Sequence, residues 1–151
     1  MKKLLLAASL LIATSLIPHT ANANENDPAI GYWLTENGRA VINMNQCGQE
    51  LCGTVYWIIE GGMEFDEKNP VSEMRTRKIC GLQVVNGLEK EADGEWENGN
   101  IYKADDGDTY SADVNVQQDG TLKVRGYLGV SWLGKTQIWK RVDALNYQQC
   151  L

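Results

Sequence analysis

Hydrophobic and polar positions alternate along the chain in short runs, and no stretch carries a strong long-helix period. The cleanest run is 109–117. There Tyr110, Ala112, Val114 and Val116 alternate with Thr109, Ser111, Asp113, Asn115 and Gln117. A period of two sends one set to a buried face and the other to water, the pattern of a half-buried strand. Ala40, Ile42 and Met44 alternate in the same way with Val41, Asn43 and Asn45. Further strands are expected at 32–35, 51–59, 81–88, 94–97, 100–103, 122–127 and 136–142. The run at 51–59 is apolar enough to be buried in part on both faces. Asn37-Gly38, Asn98-Gly99 and Asp119-Gly120 punctuate these runs, and such pairs adopt the positive φ angles of tight hairpins. Short, evenly spaced strands predict an all-β sandwich or up-and-down barrel of about eight strands. Hairpin-length links favour the meander over a Greek key. One connection, 60–79, is too long for a mere link, and connections of that length are usually lids or binding loops. Gly61-Gly62 gives it a hinge, and Asn69-Pro70 predicts a short helix with Asn at the N-cap and Pro behind it.

The start of the chain follows another pattern. Met1, Lys2 and Lys3 precede an apolar run at 4–17, then Pro18, then Ala21-Asn22-Ala23. A basic start, an apolar core and an A-x-A site make a secretory signal peptide over 1–23. The run falls short of the roughly 20 apolar residues of a membrane span. The expectation is a periplasmic or secreted protein without a membrane span. Its one domain covers 24–151, a length that supports a real core.

Charge narrows the function. The whole chain carries 14 Lys and Arg against 20 Asp and Glu, a net charge of −6. Loss of the leader takes away two lysines and no acids, which moves the charge to −8. That balance argues against nucleic acid and against an anionic membrane surface. His19 is the single histidine and lies in the leader. The exported chain therefore has no histidine for a Ser-His-Asp or Cys-His site, or for a His-ligated metal. No enzyme activity, no metal and no cofactor are expected.

Cys47, Cys52, Cys80 and Cys150 all follow the leader, and an even count in an exported chain reads as disulfides. Three pairings are open. Four residues separate Cys47 from Cys52 and fit a β-hairpin loop, so a bond across its mouth is expected. Cys80 would then join Cys150 and tie the C-terminal tail to the middle of the chain. A zinc site of all four cysteines is the rival, but zinc favours short C-x2-C pairs, which this chain lacks.

Gly31-Tyr32-Trp33 opens the first expected strand, and Trp139-Lys140-Arg141 lies on the last. A G-x-W early and an Arg late resemble the lipocalin, or calycin, signature. The resemblance implies that the Trp33 indole plugs the closed end of a barrel beneath the Arg141 guanidinium. A wider resemblance covers nearly the whole exported chain. It rests on Gly31-Tyr32-Trp33-Leu34-Thr35, Cys47-Gly48, Leu51-Cys52-Gly53, Asp66, Asn69-Pro70, Arg75, Arg77 and Gly81-Leu82. It continues through Trp96, Gly99-Asn100-Ile101-Tyr102, Asp106-Gly107-Asp108-Thr109-Tyr110 and Val124-Arg125-Gly126-Tyr127. Gly129, Leu133-Gly134 and Trp139-Lys140-Arg141-Val142 complete it. In these residues the chain resembles the bacterial family called domain of unknown function 2147. That implies a small exported lipocalin-like barrel and no particular activity. Ala104 stands where the family often has Pro, and Cys80 and Cys150 look particular to this chain.

Gly129-Val130-Ser131-Trp132-Leu133-Gly134-Lys135-Thr136 matches a phosphate-binding P-loop letter for letter. That motif needs a following helix, whereas 137–142 reads as a strand, so a glycine-rich hairpin is expected. Asp105, Asp106 and Asp108 crowd one turn but lack the D-x-D-x-D-G spacing of a calcium loop. Among 20 acids nothing singles out a pair for glycoside hydrolysis.

The fold expected is an eight-stranded antiparallel up-and-down β-barrel, lipocalin-like. The leading function is non-catalytic binding of a small apolar or amphipathic molecule, such as a fatty acid, in the barrel. Trp57, Tyr110 and Trp139 are the candidate inward aromatics. Arg75 or Arg77 is the candidate partner of an anionic head group at a mouth lidded by 60–79. The alternative is an envelope interaction or inhibitor module that grips another protein by its open end. The two differ inside the barrel, where an apolar cavity favours a ligand and a filled interior favours protein contact.

Overall fold

The computed structural model describes residues 27–59 and 61–150; the expected leader lies outside the described residues. Eight strands run in chain order: β1 (Gly31–Leu34), β2 (Ala40–Cys47), β3 (Glu50–Ile58), β4 (Gln83–Ala92), β5 (Glu95–Lys103), β6 (Asp108–Val116), β7 (Leu122–Tyr127) and β8 (Lys135–Arg141). Each pairs antiparallel with the next, and β1 pairs with β8, so the meander closes into a barrel. Closure removes the exposed edges that an open sheet leaves unpaired. No helix among the described residues is long and apolar enough to cross a membrane.

The alternating runs behave as their period requires. On β6, Ala112 and Val114 are buried and face Gly126 and Val124 of β7. The core gathers Met44, Leu51, Val85, Leu88, Trp96 and Leu122, each almost wholly excluded from water.

The turns differ in two places from the sequence reading. Asn98-Gly99 is not a hairpin. The chain turns at Asp93-Gly94, so β4 runs on to Ala92 and the expected strands at 94–97 and 100–103 fuse into β5. Asn98, with φ +61°, lies where the β5–β6 register shifts, and so absorbs a bulge. Asn69-Pro70 does not start a helix either. A single 3-10 turn forms at Ser72–Met74, and the Asn69 side-chain Oδ1 accepts from the Val71 N–H instead.

Two disulfides are present, Cys47–Cys52 and Cys80–Cys150. The first crosses the β2–β3 hairpin just behind its Gly48-Gln49 turn. The second holds the C-terminal tail against the outer wall, where the Cys150 N–H donates to the Tyr56 carbonyl.

Candidate functional site

A meander places alternate connections at opposite ends of the barrel. One end carries the short turns at 48–49, 93–94 and 117–121 together with the entry segment at 27–30. It is sealed. Trp33 is fully buried, and its indole N–H donates to the Ala29 carbonyl at 2.9 Å. The Arg141 guanidinium lies 4.1 Å from the ring centroid and donates to the carbonyls of Ile30 and Pro28. Gly31 makes room for it. Its φ is +133°, and a Cβ there would meet the guanidinium at 2.5 Å. Beside this plug Asp27 accepts from Ala29 N–H, Trp96 Nε1–H and Lys90 Nζ. Burial pushes its carboxyl up, but these donors and the Gly94 N–H outweigh it and hold it below the ordinary carboxylate range.

The other end carries the turns at 36–39 and 104–107, the 59–82 connection and the 128–134 loop. It leads into a cavity of about 540 Å³. The inner wall is apolar, with Ile42, Val55, Val84, Ile101, Val124 and Trp139 among its residues. Trp139 spends its indole N–H on the Gln137 side chain at 2.8 Å and so turns an apolar ring to the space. Arg39, Lys103, Asp105, Asp106 and Lys135 form a charged rim. Arg39 pairs with Asp105 at 3.5 Å, and Lys103 pairs with Asp106. Lys135 makes no ion pair among the described residues. It stands opposite Gly126, in the same alternation that places Gln137 opposite Val124 and Trp139 opposite Leu122. With Leu122 and Val124 buried, that row faces the interior.

The long connection is latched to the wall. Asp66 is fully buried and accepts from Tyr102 OH at 2.5 Å, Asn69 Nδ2 at 2.8 Å and the Arg77 guanidinium at 2.8 Å. Burial raises the Asp66 carboxyl, and the Tyr102, Asn69 and Arg77 bonds together bring it below its usual value. Tyr102 moves the other way, raised by burial and by donating to a carboxylate. Lys68 Nζ reaches the Asp105 carbonyl at 2.6 Å, and its own carbonyl sits where a Cβ on Gly107 would collide. The connection thus packs on the β5–β6 turn, with Met63 and Ile79 lining the cavity.

The five candidate residues fall in two groups. Tyr110 and Trp139 line the cavity; Trp57, Arg75 and Arg77 do not. Trp57 packs edge-on against Tyr147 of the C-terminal tail, with ring centroids 5.2 Å apart. Arg75 donates to the Asn69 carbonyl, and Arg77 is committed to Asp66. Both arginines brace the connection, and Lys135 is the rim cation without an ion pair among the described residues. The signal for Lys135 was its two-residue spacing from Gln137 and Trp139, which shares one face of a strand. The glycine-rich segment before β8 is a hairpin connection with a 3-10 turn at Ser131–Leu133, and a strand follows it.

The family model of uncharacterised proteins conserved in bacteria, DUF2147, matches residues 31–141. The chain belongs to the DUF2147 family. Among solved structures this DUF2147 protein is similar to protein HP1028 of the human pathogen Helicobacter pylori, described as belonging to the lipocalin family. The two share 22% identity over 78% of this chain and 85% of the other, with a TM-score of 0.70. At that identity the likeness concerns the fold, a lipocalin-like barrel. No curated protein matches the chain.

Proposed function

We propose that this DUF2147 protein is an exported, non-catalytic carrier of one small apolar or amphipathic molecule of fatty-acid type. The observation that carries the reading is the cavity of about 540 Å³, apolar within and charged at the rim. That volume falls in the range of small-molecule sites. An eight-stranded barrel has room for one small ligand only when side chains leave its interior unfilled. Hydrocarbon would lie against Trp139, Val124 and Ile42, and an anionic head group would meet Lys135 at the rim. The disulfides and the bacterial family accord with an extracytoplasmic place, and the sequence at 1–23 supplies the export signal. The alternative of a protein-gripping module called for a filled interior, so the cavity favours the carrier.

Native mass spectrometry of protein taken from its host's envelope tests the reading. A retained molecule should add a discrete mass that denaturation releases. If a delipidated sample also fails to take up any long-chain amphiphile, the carrier reading is wrong.

A further inference from the structure

The β7–β8 hairpin differs from the rest of the chain in charge. Between Gly120 and Val142 there is no Asp or Glu, in a chain of net charge −6, and of its five Lys and Arg two, Arg125 and Lys135, lie toward the open end. Its connection also holds a dense group of exposed apolar side chains. Leu128, Val130, Trp132 and Leu133 are 66%, 44%, 75% and 66% exposed. The group is braced rather than slack. Arg125 donates to the Ser131 carbonyl at 2.6 Å and to Thr136 Oγ1 at 2.9 Å, which fixes the 3-10 turn that projects Trp132. Leu128 and Leu133 also line the cavity, so one apolar surface runs from the interior over the rim to the outside. Val71 and Met74, half-exposed, stand on the β3–β4 connection, halfway round the ring of strands.

An apolar tip bearing Trp, with cations behind it, has the chemistry of a membrane interface. Tryptophan rests at head-group level, and Lys or Arg beside it attracts anionic lipid. The overall negative charge does not oppose this, because charges beyond roughly 8 Å are screened at physiological salt. Asp105 and Asp106 at the rim are each paired with a cation, Glu36 accepts from the Ile138 N–H of β8, and Asp113, opposite Arg125, accepts from Tyr127 OH. We propose that the open end docks on an anionic phospholipid bilayer through the 128–133 tip, with Arg125 and Lys135 at the head groups. A cavity ligand then passes between bilayer and barrel without crossing water. The passage rests on the carrier reading, whereas the docking stands on the surface alone.

Vesicles of equimolar phosphatidylcholine and phosphatidylglycerol provide the test. Four tryptophans are sheltered to some degree, so Trp132, the exposed one, should dominate any change in emission. Docking should shift emission to the blue and bring the protein up with vesicles in flotation. Trp132→Ser with Leu133→Ser should abolish both while the melting temperature stays unchanged. Lys135→Gln should weaken partitioning about fivefold, as should each further charge removed near the surface. No flotation with these vesicles, or equal flotation of the double variant, would overturn the docking and leave the tip as a face for a protein partner. Amphiphile uptake without vesicle binding removes the docking alone. Vesicle binding without uptake upholds the docking and removes the carrier reading.

Discussion

Arg141 lies across Trp33 because Gly31 offers no side chain in its way. The three residues are one device, in which a missing Cβ admits a guanidinium that covers an indole. Trp33→Ala should cost about 3–5 kcal/mol in chemical denaturation, as for a buried large aromatic. Arg141→Ala should cost about 1–2 kcal/mol through lost cation–π contact and packing. A double-mutant cycle should return coupling; additive effects would mean the contact contributes nothing. Asp66 is the second residue with a measurable signature. Its folded carboxyl titrates below the ordinary value of about 3.9 because its donors outweigh burial. The unfolded chain therefore takes up that proton at higher pH than the folded one. Stability from Asp66 is complete above the unfolded value and is lost as pH falls through the folded one. Asp27 shifts the same way, so acid should loosen both ends of the barrel. Asp66→Asn should be less stable at neutral pH and should decline less below about pH 4. Equal acid slopes for variant and wild type would contradict the assignment.

At the scale of elements, period-two patterning made most strands legible, since each half-buried strand must alternate against one core. The 60–79 loop stood out by length, and the cysteine pairing followed from the hairpin spacing. Turn chemistry was ambiguous where two X-Gly pairs lie five residues apart. Asp93-Gly94 takes the turn because this lets Trp96 enter the core opposite Val114, and Asn98 then absorbs the surplus residue. Trp57 was misplaced because aromatic character alone does not tell which face of a strand it occupies. The C-terminal tail that shelters it was invisible in the local pattern. Arg75 and Arg77 were misjudged because the buried partner of Arg77, Asp66, is a tertiary fact. The tail makes its own prediction. Cys80 and Cys150 are 70 residues apart in sequence, and their bond should contribute on the order of 4 kcal/mol in the chain-entropy model. Replacing both with Ser should lower the denaturation midpoint far more than replacing Cys47 and Cys52, whose loop is short. Equal losses would refute the entropic account.

For the whole molecule, the closed end and the open end divide the work. Trp33, Arg141 and the Asp27 cluster seal one mouth, so the cavity opens at the other. The latch at Asp66 and the disulfide at Cys80 fix the long connection beside the other mouth. Between them lies the cavity, and Gly126 is its most useful position. A Cβ there would meet Ile101 and Tyr110 at 3.6 and 3.7 Å, ordinary contact distances, so the position accepts a Cβ without a clash. Gly126→Leu should fill the space beside Lys135 and leave the melting temperature equal or higher. The direct measurement is a titration of delipidated protein with long-chain fatty acids, followed by tryptophan fluorescence. The wild type should quench saturably as Trp139 is covered, and Gly126→Leu should show no saturable quenching. A flat titration of the wild type up to millimolar amphiphile, or equal binding by the filled variant, would contradict a ligand in the barrel.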